Sequence, residues 1–386
     1  MSRWEATTLA DLCSDISYGY TTSAKQTAVG PKFLRITDIT PDRINWADVP
    51  YCVADKKDVH KYKLKNGDIV IARTGATTGY NKLIKDISFD AVYASYLIRY
   101  EIDATKAVPD FVGHILQSSA WYDYVDAIAG GSAQPGANAK QLGSFEFSLP
   151  PFAEQKAIAA VLSSLDAKID LLHRQNKTLE AMAEALFRQW FVEDAQEGWH
   201  ERPLSSIANF LNGLACQKYP PTDDVEKLPV LKIRELSNGI SDTADWATSH
   251  VKPGYIVEAG DVIFAWSASL MVKVWDGEKC VLNQHLFKVT SDEFPKWFYL
   301  RWCKHHLAEF IAVAASHATT MGHIKRGDLD AAMVLVPPPP VLATMSKQMQ
   351  PLLDKQIASA RQRKTLEKLR DTLLPKLMSG EVRVAY

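Results

Sequence analysis

The sequence contains no apolar run approaching the roughly 20 residues that a membrane-spanning helix needs. Its first stretch, MSRWEATTLADLCSD, lacks the apolar core of a secretory signal. The expected compartment is therefore the cytoplasm. Cysteine is scarce: Cys13, Cys52, Cys216, Cys280 and Cys303 are odd in number, widely spaced and without a C-x-x-C pair. That pattern points to reduced thiols and excludes a disulfide framework or a thiolate zinc site. An excess of one charge is missing too. With Lys+Arg 44 against Asp+Glu 45 the net charge is −1, which excludes nucleic-acid binding by bulk electrostatics and leaves local basic patches, or a partner that brings the charge.

Catalytic signatures are also lacking. There is no G-x-x-x-x-G-K-[ST] loop, so ATP use is not encoded. An amino-methyltransferase needs Asn or Asp before Pro-Pro-aromatic, to accept a hydrogen bond from the target amine, and a Gly-rich cofactor turn. Leu149-Pro150-Pro151-Phe152 has an apolar first residue, and no such turn is present. Glu154-Gln155-Lys156 is an E-x-K string of the kind found in metal-dependent nucleases, but it falls in the first turn of a helix, where the helix dipole favours Glu, and has no matching upstream acid. His305, His306, His317 and His323 have no carboxylate or thiolate partners at ligand spacing. No metal, no bound cofactor and no catalysis are expected of this chain.

What is present is a duplication. Ile158, Leu162, Leu165, Ile169, Leu172, Asn176, Leu179, Ala183, Leu186 and Trp190 alternate spacings of four and three, the seam of a coiled-coil helix. Sliding the chain by 187 residues puts Pro150-Pro151 on Pro337-Pro338 and the run Arg174 to Glu180 on Arg361 to Glu367. The second helix has one seam of Met345, Met349, Leu353, Ile357 and Ala360, which shifts before Leu366, Leu369, Leu373 and Leu377. Arg363 is aligned with Asn176, and a polar seam residue of this kind fixes register. Prolines at 150–151 and 337–340 mark sharp joints into helices of about 40 residues, roughly 60 Å long.

The segments before the helices repeat as well. FLRITDI echoes VLKIREL, LKNGDIVIA echoes VEAGDVIFA, and YLIRYEID echoes HLFKVTSD. In the first, β-like runs at Phe33 to Ile39, Asp68 to Ala72 and Tyr96 to Glu101 precede a helix-like stretch from Pro109 to Ala127, a Gly/Ser/Pro-rich loop at 129–140 and a last strand from Phe145 to Leu149. The expected fold class is α+β: two similar mixed α/β domains separated by a pair of long antiparallel coiled-coil helices, a pseudo-twofold tandem repeat. The expected segments are 1–148, 149–196, 197–336 and 337–386.

Two α/β units each followed by a PP-x-x-E-Q-type helix, the RQxKTLE core, the closing run Leu373 to Val384 and the GDI-x-x-A-R-x-G form of Gly67 to Ala76 together resemble the specificity (S) subunit of type I restriction-modification systems. The second domain departs from that form, with Ala265-Trp266-Ser267-Ala268-Ser269 in place of Ala-Arg-Thr-Gly-Ala, and Val341-Leu342 replaces Glu154-Gln155 in the second helix. The resemblance implies that each target-recognition domain reads one half of a bipartite double-stranded DNA sequence and that the helices set the gap. It also implies docking of two modification (M) subunits, which carry S-adenosylmethionine and methylate adenine, and two restriction (R) subunits using ATP and Mg. The alternatives are a self-contained DNA-modifying enzyme and a coiled-coil scaffold joining two protein-binding domains.

Base reading in the major groove needs Arg, Lys, Asn, Gln and small hydroxyls on protruding loops. The first domain offers Thr21, Thr22, Ser23, Lys25 and Gln26; Arg73, Thr74, Thr77, Thr78 and Asn81; and Ser132, Gln134, Asn138 and Lys140. The second offers Gln217, Lys218 and Tyr219; Trp266, Ser267, Ser269 and Lys273; and His317, Thr319, Thr320, His323, Lys325 and Arg326. Partner docking is expected at Glu154, Gln155, Trp190, Phe191, Leu373 and Leu377, the aromatics because such residues anchor interfaces.

Overall fold

The computed structural model describes residues 4–41, 43–129, 136–316 and 322–385. They divide into two compact units: Met1–Ala167 with Lys368–Tyr386, and Lys168–Glu367. In the first, Glu5–Thr8 pairs antiparallel with Glu146–Leu149. Cys13–Tyr18, Leu97–Ile102, Asp68–Ala72 and Asn81–Leu83 make an antiparallel sheet in that order. A second sheet runs Ala24–Lys25, Tyr51–Cys52, Lys32–Leu34, Ala91–Tyr93, its last pair parallel. Ile69 and Ile71 face a cluster with Phe111 and Trp121, while Val70 and Ala72 face one with Leu34 and Tyr93. A strand covered on both faces has no solvated side, which is why Ile69 to Ala72 is continuously apolar.

Two runs break where their sequence looks uniform. The Phe33 to Ile39 stretch leaves the strand at Leu34 and becomes a helical turn, Ile36–Ile39, because the Asp38 carboxylate accepts the Arg35 backbone N–H at 2.8 Å. The Pro109 to Ala127 stretch is two helices, Pro109–Ile115 and Ser119–Ala129. Ser118 closes the first by donating to the Ile115 carbonyl at 2.7 Å and accepts from Trp121 N–H at 3.4 Å, which opens the second.

The second unit repeats the plan. His200–Pro203 pairs with Met333–Val336; Asn209–Asn212, Leu286–Thr290, Val262–Ala265 and Met271–Val274 form the antiparallel sheet; Trp246–Thr248, Lys227–Leu231, Cys280–Leu282 and Ile256–Val257 form the mixed one, again with one parallel pair. The shared Gly-Asp turn is equally specific. Gly67 and Gly260 take left-handed φ of +97° and +101°, and Asp68 and Asp261 accept the backbone N–H three residues back, at 2.8 and 2.9 Å. In the first unit Arg99 donates to the Lys63 carbonyl beside this turn at 2.9 Å; in the second Lys288 donates to the Ile256 carbonyl at 2.8 Å. Burial pushes the Asp68 carboxyl up to about 6, against the pull of the Lys65 N–H and of Arg99. The Gly-Asp signature is thus a folding device.

The long helices, Phe152–Arg188 and Pro339–Met378, are built into the units and not free between them. In the first unit Ile158, Leu162, Leu377 and Met378 join the core, and Arg370 meets Asp166 at 3.2 Å. In the second, Ala183, Phe187, Met345, Met349 and Leu353 join the core, and Asn176 donates to the Gln356 carbonyl at 3.1 Å, the polar seam contact its position predicts. In both units the helices run antiparallel, as these pairs require. One expectation is corrected: Leu369 is 44% exposed, and Arg370 takes its place on the inner face. The first helix ends in a widened turn, Gln189–Glu193, where Asp194 N–H reaches the Gln189 carbonyl at 2.7 Å. All five cysteines are free, and burial pushes the thiols of Cys13 and Cys52 up to about 12 and about 11. No helix among the described residues is long and apolar enough to cross a membrane.

Candidate nucleic-acid interface

At one end of each lobe three segments that are far apart in sequence are tied together by backbone hydrogen bonds. In the first lobe Gly19 N–H donates to the Leu97 carbonyl at 3.2 Å and Tyr20 N–H to the Tyr93 carbonyl at 2.7 Å, seating the first loop on the strand turn at 94–96. Arg73 N–H donates to the Tyr96 carbonyl at 3.1 Å, and Ala137 N–H to the Arg73 carbonyl at 3.0 Å, which adds the second and third loops. In the second lobe Gly213 N–H donates to Leu286, Ile324 N–H to Trp266 and Ala268 N–H to Gly322, at 3.0, 3.0 and 2.9 Å. Isolated bridges fall at matching places, Thr74 with Gly136 and Ser267 with His323. Gly19 and Gly213 make the crossing possible: a Cβ at either would collide with the carbonyl oxygen of Ala94 or of Asn283.

Of the residues expected to face a nucleic acid, Thr21, Lys25, Gln26, Asn138, Lys140, Gln217, Lys218, Tyr219, Ser269, His323, Lys325 and Arg326 are exposed; Thr22, Arg73, Thr74, Thr77 and Trp266 are half-buried. Asn138 is partly committed, since its Oδ1 accepts from Gln141 N–H at 2.9 Å as the cap of Ala139–Gly143. Ser132, Gln134, His317, Thr319 and Thr320 lie outside the described residues.

Other expectations are corrected. Asn81 is buried and its amide donates to the carbonyls of Gly79 and Leu116 at 3.1 and 2.6 Å, so it ties the sheet edge to the helix behind it. Thr78 is buried, with its hydroxyl on the Gly75 carbonyl at 2.7 Å. Ser267 is buried and sits 3.1 Å from His285 Nδ1, and Lys273 is directed inward to the Leu236 carbonyl at 3.1 Å. Of the docking residues, Glu154, Gln155, Phe191 and Leu377 are buried, and Trp190 and Leu373 are half-buried. Glu154 is fully buried, accepting from Arg383 at 2.7 Å and from the Trp4 indole at 3.3 Å, and Gln155 holds Val108 N–H and the Pro150 carbonyl at 2.9 Å each. Phe191 and Leu377 belong to lobe cores, and Trp190 and Leu373 pack against them.

The electrostatics of the loop ends carry a signal that no short motif displays. The chain has 45 acidic residues, yet none occurs in 16–37, 69–85 or 127–145, the stretches carrying the first lobe's loops, or in 202–222, 262–275 or 310–327, those carrying the second's. Among the described residues, the side chains of Lys25, Arg73, Lys140, Lys218, Lys325 and Arg326 have no carboxylate partner. Unpaired cations at one end of a near-neutral lobe make a local positive field that a polyanion can use. Tyr18, Tyr96 and Asn212, which the sequence reading does not single out, also flank the loops and are exposed, Tyr96 by 58%. Spacing points to two of them, since position 18 aligns with 212 as 73 does with 266. Among the described residues there is no cluster of His, Cys, Asp or Glu that could hold a metal ion.

The family model described as the type I restriction modification DNA specificity domain matches residues 1–181 and again 196–368. The MjaIX specificity subunit of Methanocaldococcus jannaschii is 26% identical, over 72% of this chain and 70% of its own length. The HindI specificity subunit of Haemophilus influenzae is 19% identical, over 99% of this chain and 100% of its own. The crystal structure of the type I restriction-modification S subunit from M. genitalium matches in fold with a TM-score of 0.61 at 15% identity, covering 97% of this chain and 96% of that one.

Proposed function

The chain belongs to the type I restriction modification DNA specificity family, whose domain it carries twice, and from that premise we propose that each lobe reads one half of a bipartite double-stranded DNA site through its three-loop end. The observation that carries the reading is the equivalence of the two ends: the same backbone ties, no acidic residue in any of the six stretches, and cations without carboxylate partners among the described residues. The role is recognition, and the chemistry belongs to other chains. Two modification subunits carrying S-adenosylmethionine methylate adenine within the site, and two restriction subunits using ATP and Mg cleave unmodified DNA. The paired helices set the gap between the half-sites. With Glu154, Gln155, Phe191 and Leu377 buried, the outward apolar side chains Leu171 and Met182 of the first long helix are a surface assigned to a modification subunit.

A net charge of −1 leaves the isolated chain a weak and salt-sensitive DNA binder, so tight binding requires the partners' basic surface. The test is single-molecule mapping of methylated adenine in cells that hold the modification subunit, with and without this chain. The expected result is one bipartite motif of fixed gap, present only with the chain. Identical methylation in both would refute the reading, and methyl transfer by the purified chain alone would establish the enzyme alternative.

A further inference from the structure

One pair of positions differs in chemistry between otherwise equivalent lobes. In the first, the Arg73 guanidinium lies over the Tyr18 ring, 5.1 Å from its centroid. In the second, the aligned residues are Trp266 and Asn212, and they too touch: the indole N–H donates to Asn212 Oδ1 at 3.1 Å, while the indole stacks on Phe287 at 5.6 Å. Both lobes therefore close the seam between the first and second loops with a side-chain pair at the same place. The consequences differ. The second lobe's pair is neutral and its indole donor is satisfied. The first lobe's pair leaves a full positive charge without a carboxylate or carbonyl partner among the described residues.

The position of Arg73 limits what it can touch. Its backbone N–H and carbonyl are both engaged, its side chain is half-buried, and its Nε is buried without a partner among the described residues, so the guanidinium sits at the floor between the loops and not at a tip. A groove about 8.5 Å deep is read by groups that project into it, whereas a floor-level cation meets the phosphate ridges that flank it. The cation–π contact with Tyr18 restrains the guanidinium, which reduces the conformational freedom lost on binding.

We infer that Arg73, held over Tyr18, is a phosphate-anchoring residue of the first lobe for which the second lobe has no counterpart, so that the two half-sites are gripped unequally. This rests on the DNA-reading role proposed above. It assigns Arg73 to affinity and removes it from the set that chooses bases.

The test uses the full chain assembled with its modification subunits and a duplex bearing the motif found by methylation mapping, with binding followed by fluorescence anisotropy from about 50 to about 200 mM salt. Arg73→Gln is expected to weaken binding by about tenfold at low salt and to make the log–log salt slope shallower by about 0.9, with every recognised base kept. Arg73→Lys, which keeps the charge, is expected to keep the slope, and thermal melting of both variants separates a binding defect from misfolding. A changed base preference in the first half-site would overturn the inference in favour of direct reading. An unchanged slope in Arg73→Gln, or a slope lost equally in Arg73→Lys, would overturn it in favour of a packing role. Failure of the unsubstituted complex to prefer its motif over a scrambled duplex would instead bring down the underlying reading, and shows before any substitution is made.

Discussion

At the scale of single residues, the second lobe carries a backbone cost that the first avoids. Gly75 sits at φ +75°, and its counterpart Ala268 takes φ +56°, a left-handed conformation that costs a residue with a Cβ about 1–2 kcal/mol. Ala268→Gly removes that cost and adds about 0.4–1 kcal/mol of unfolded-chain freedom. The expected net effect is a stabilisation of about 0.5–1 kcal/mol, read as a rise of a few degrees in the thermal midpoint. A fall in the midpoint would mean that the Cβ makes a compensating contact. The same scale shows what the sequence conceals. Asn81 and Ser267 have the polar side chains that a DNA reader needs, but so does any residue that satisfies a buried carbonyl or imidazole. Only the packing around them decides which task they perform. Gly67 and Asp68 are legible in the sequence as a repeated motif, while the reason for it, a left-handed turn closed by the carboxylate, is a matter of geometry.

At the scale of elements, the long helices are the most legible part of the chain, because an apolar spacing of four and three sustained over many turns suits only a helix pressed along another helix. Their register is less so. Leu369 fits the spacing of its neighbours, yet it faces outward while Arg370 meets Asp166 across the helix pair. Beside the apolar packing of Ala183 and Phe187, Glu180 ties the first helix to the second lobe, accepting from Arg301 at 2.8 Å, from Lys304 at 2.6 Å and from Gln356 at 3.1 Å. Burial alone would raise its pKa, but Arg301 and Lys304 outweigh burial and hold the carboxyl at about 2. A carboxylate depressed in this way stabilises the fold above its ordinary pKa of 4.5, and the contribution is lost as pH falls towards about 2. With the side chain 37% exposed, solvent screening reduces the full linkage value, leaving about 1–2 kcal/mol. Glu180→Gln is expected to destabilise by that amount at pH 7 and to flatten the decline in stability between pH ~5 and ~2. Urea unfolding at several pH values measures both, and an unaltered acid limb would assign the decline to other carboxylates.

At the scale of the whole molecule, the boundaries of the compact units fall within the long helices and not at the proline joints. Ile158, Leu162 and Leu377 are core residues of the first lobe, so a lobe is more than its sheets and loops. Replacing residues 1–167 together with 368–386 by the matching parts of a relative is expected to give a stable chain in which one half-site alone is changed. Replacing 1–148 alone leaves foreign strands on a native helical base and is expected to lower the thermal midpoint. Equal stability of the two chimaeras would show that the helices contribute little to the lobe. The first lobe is also discontinuous, because it takes in residues 368–386 while the second occupies the unbroken stretch 168–367. On the ribosome, therefore, the lobe whose synthesis starts first is the last to be finished: Leu377 and Met378 reach its interior only after every residue of its sibling has been made. Until then the nascent first lobe must wait with part of its apolar interior open to water.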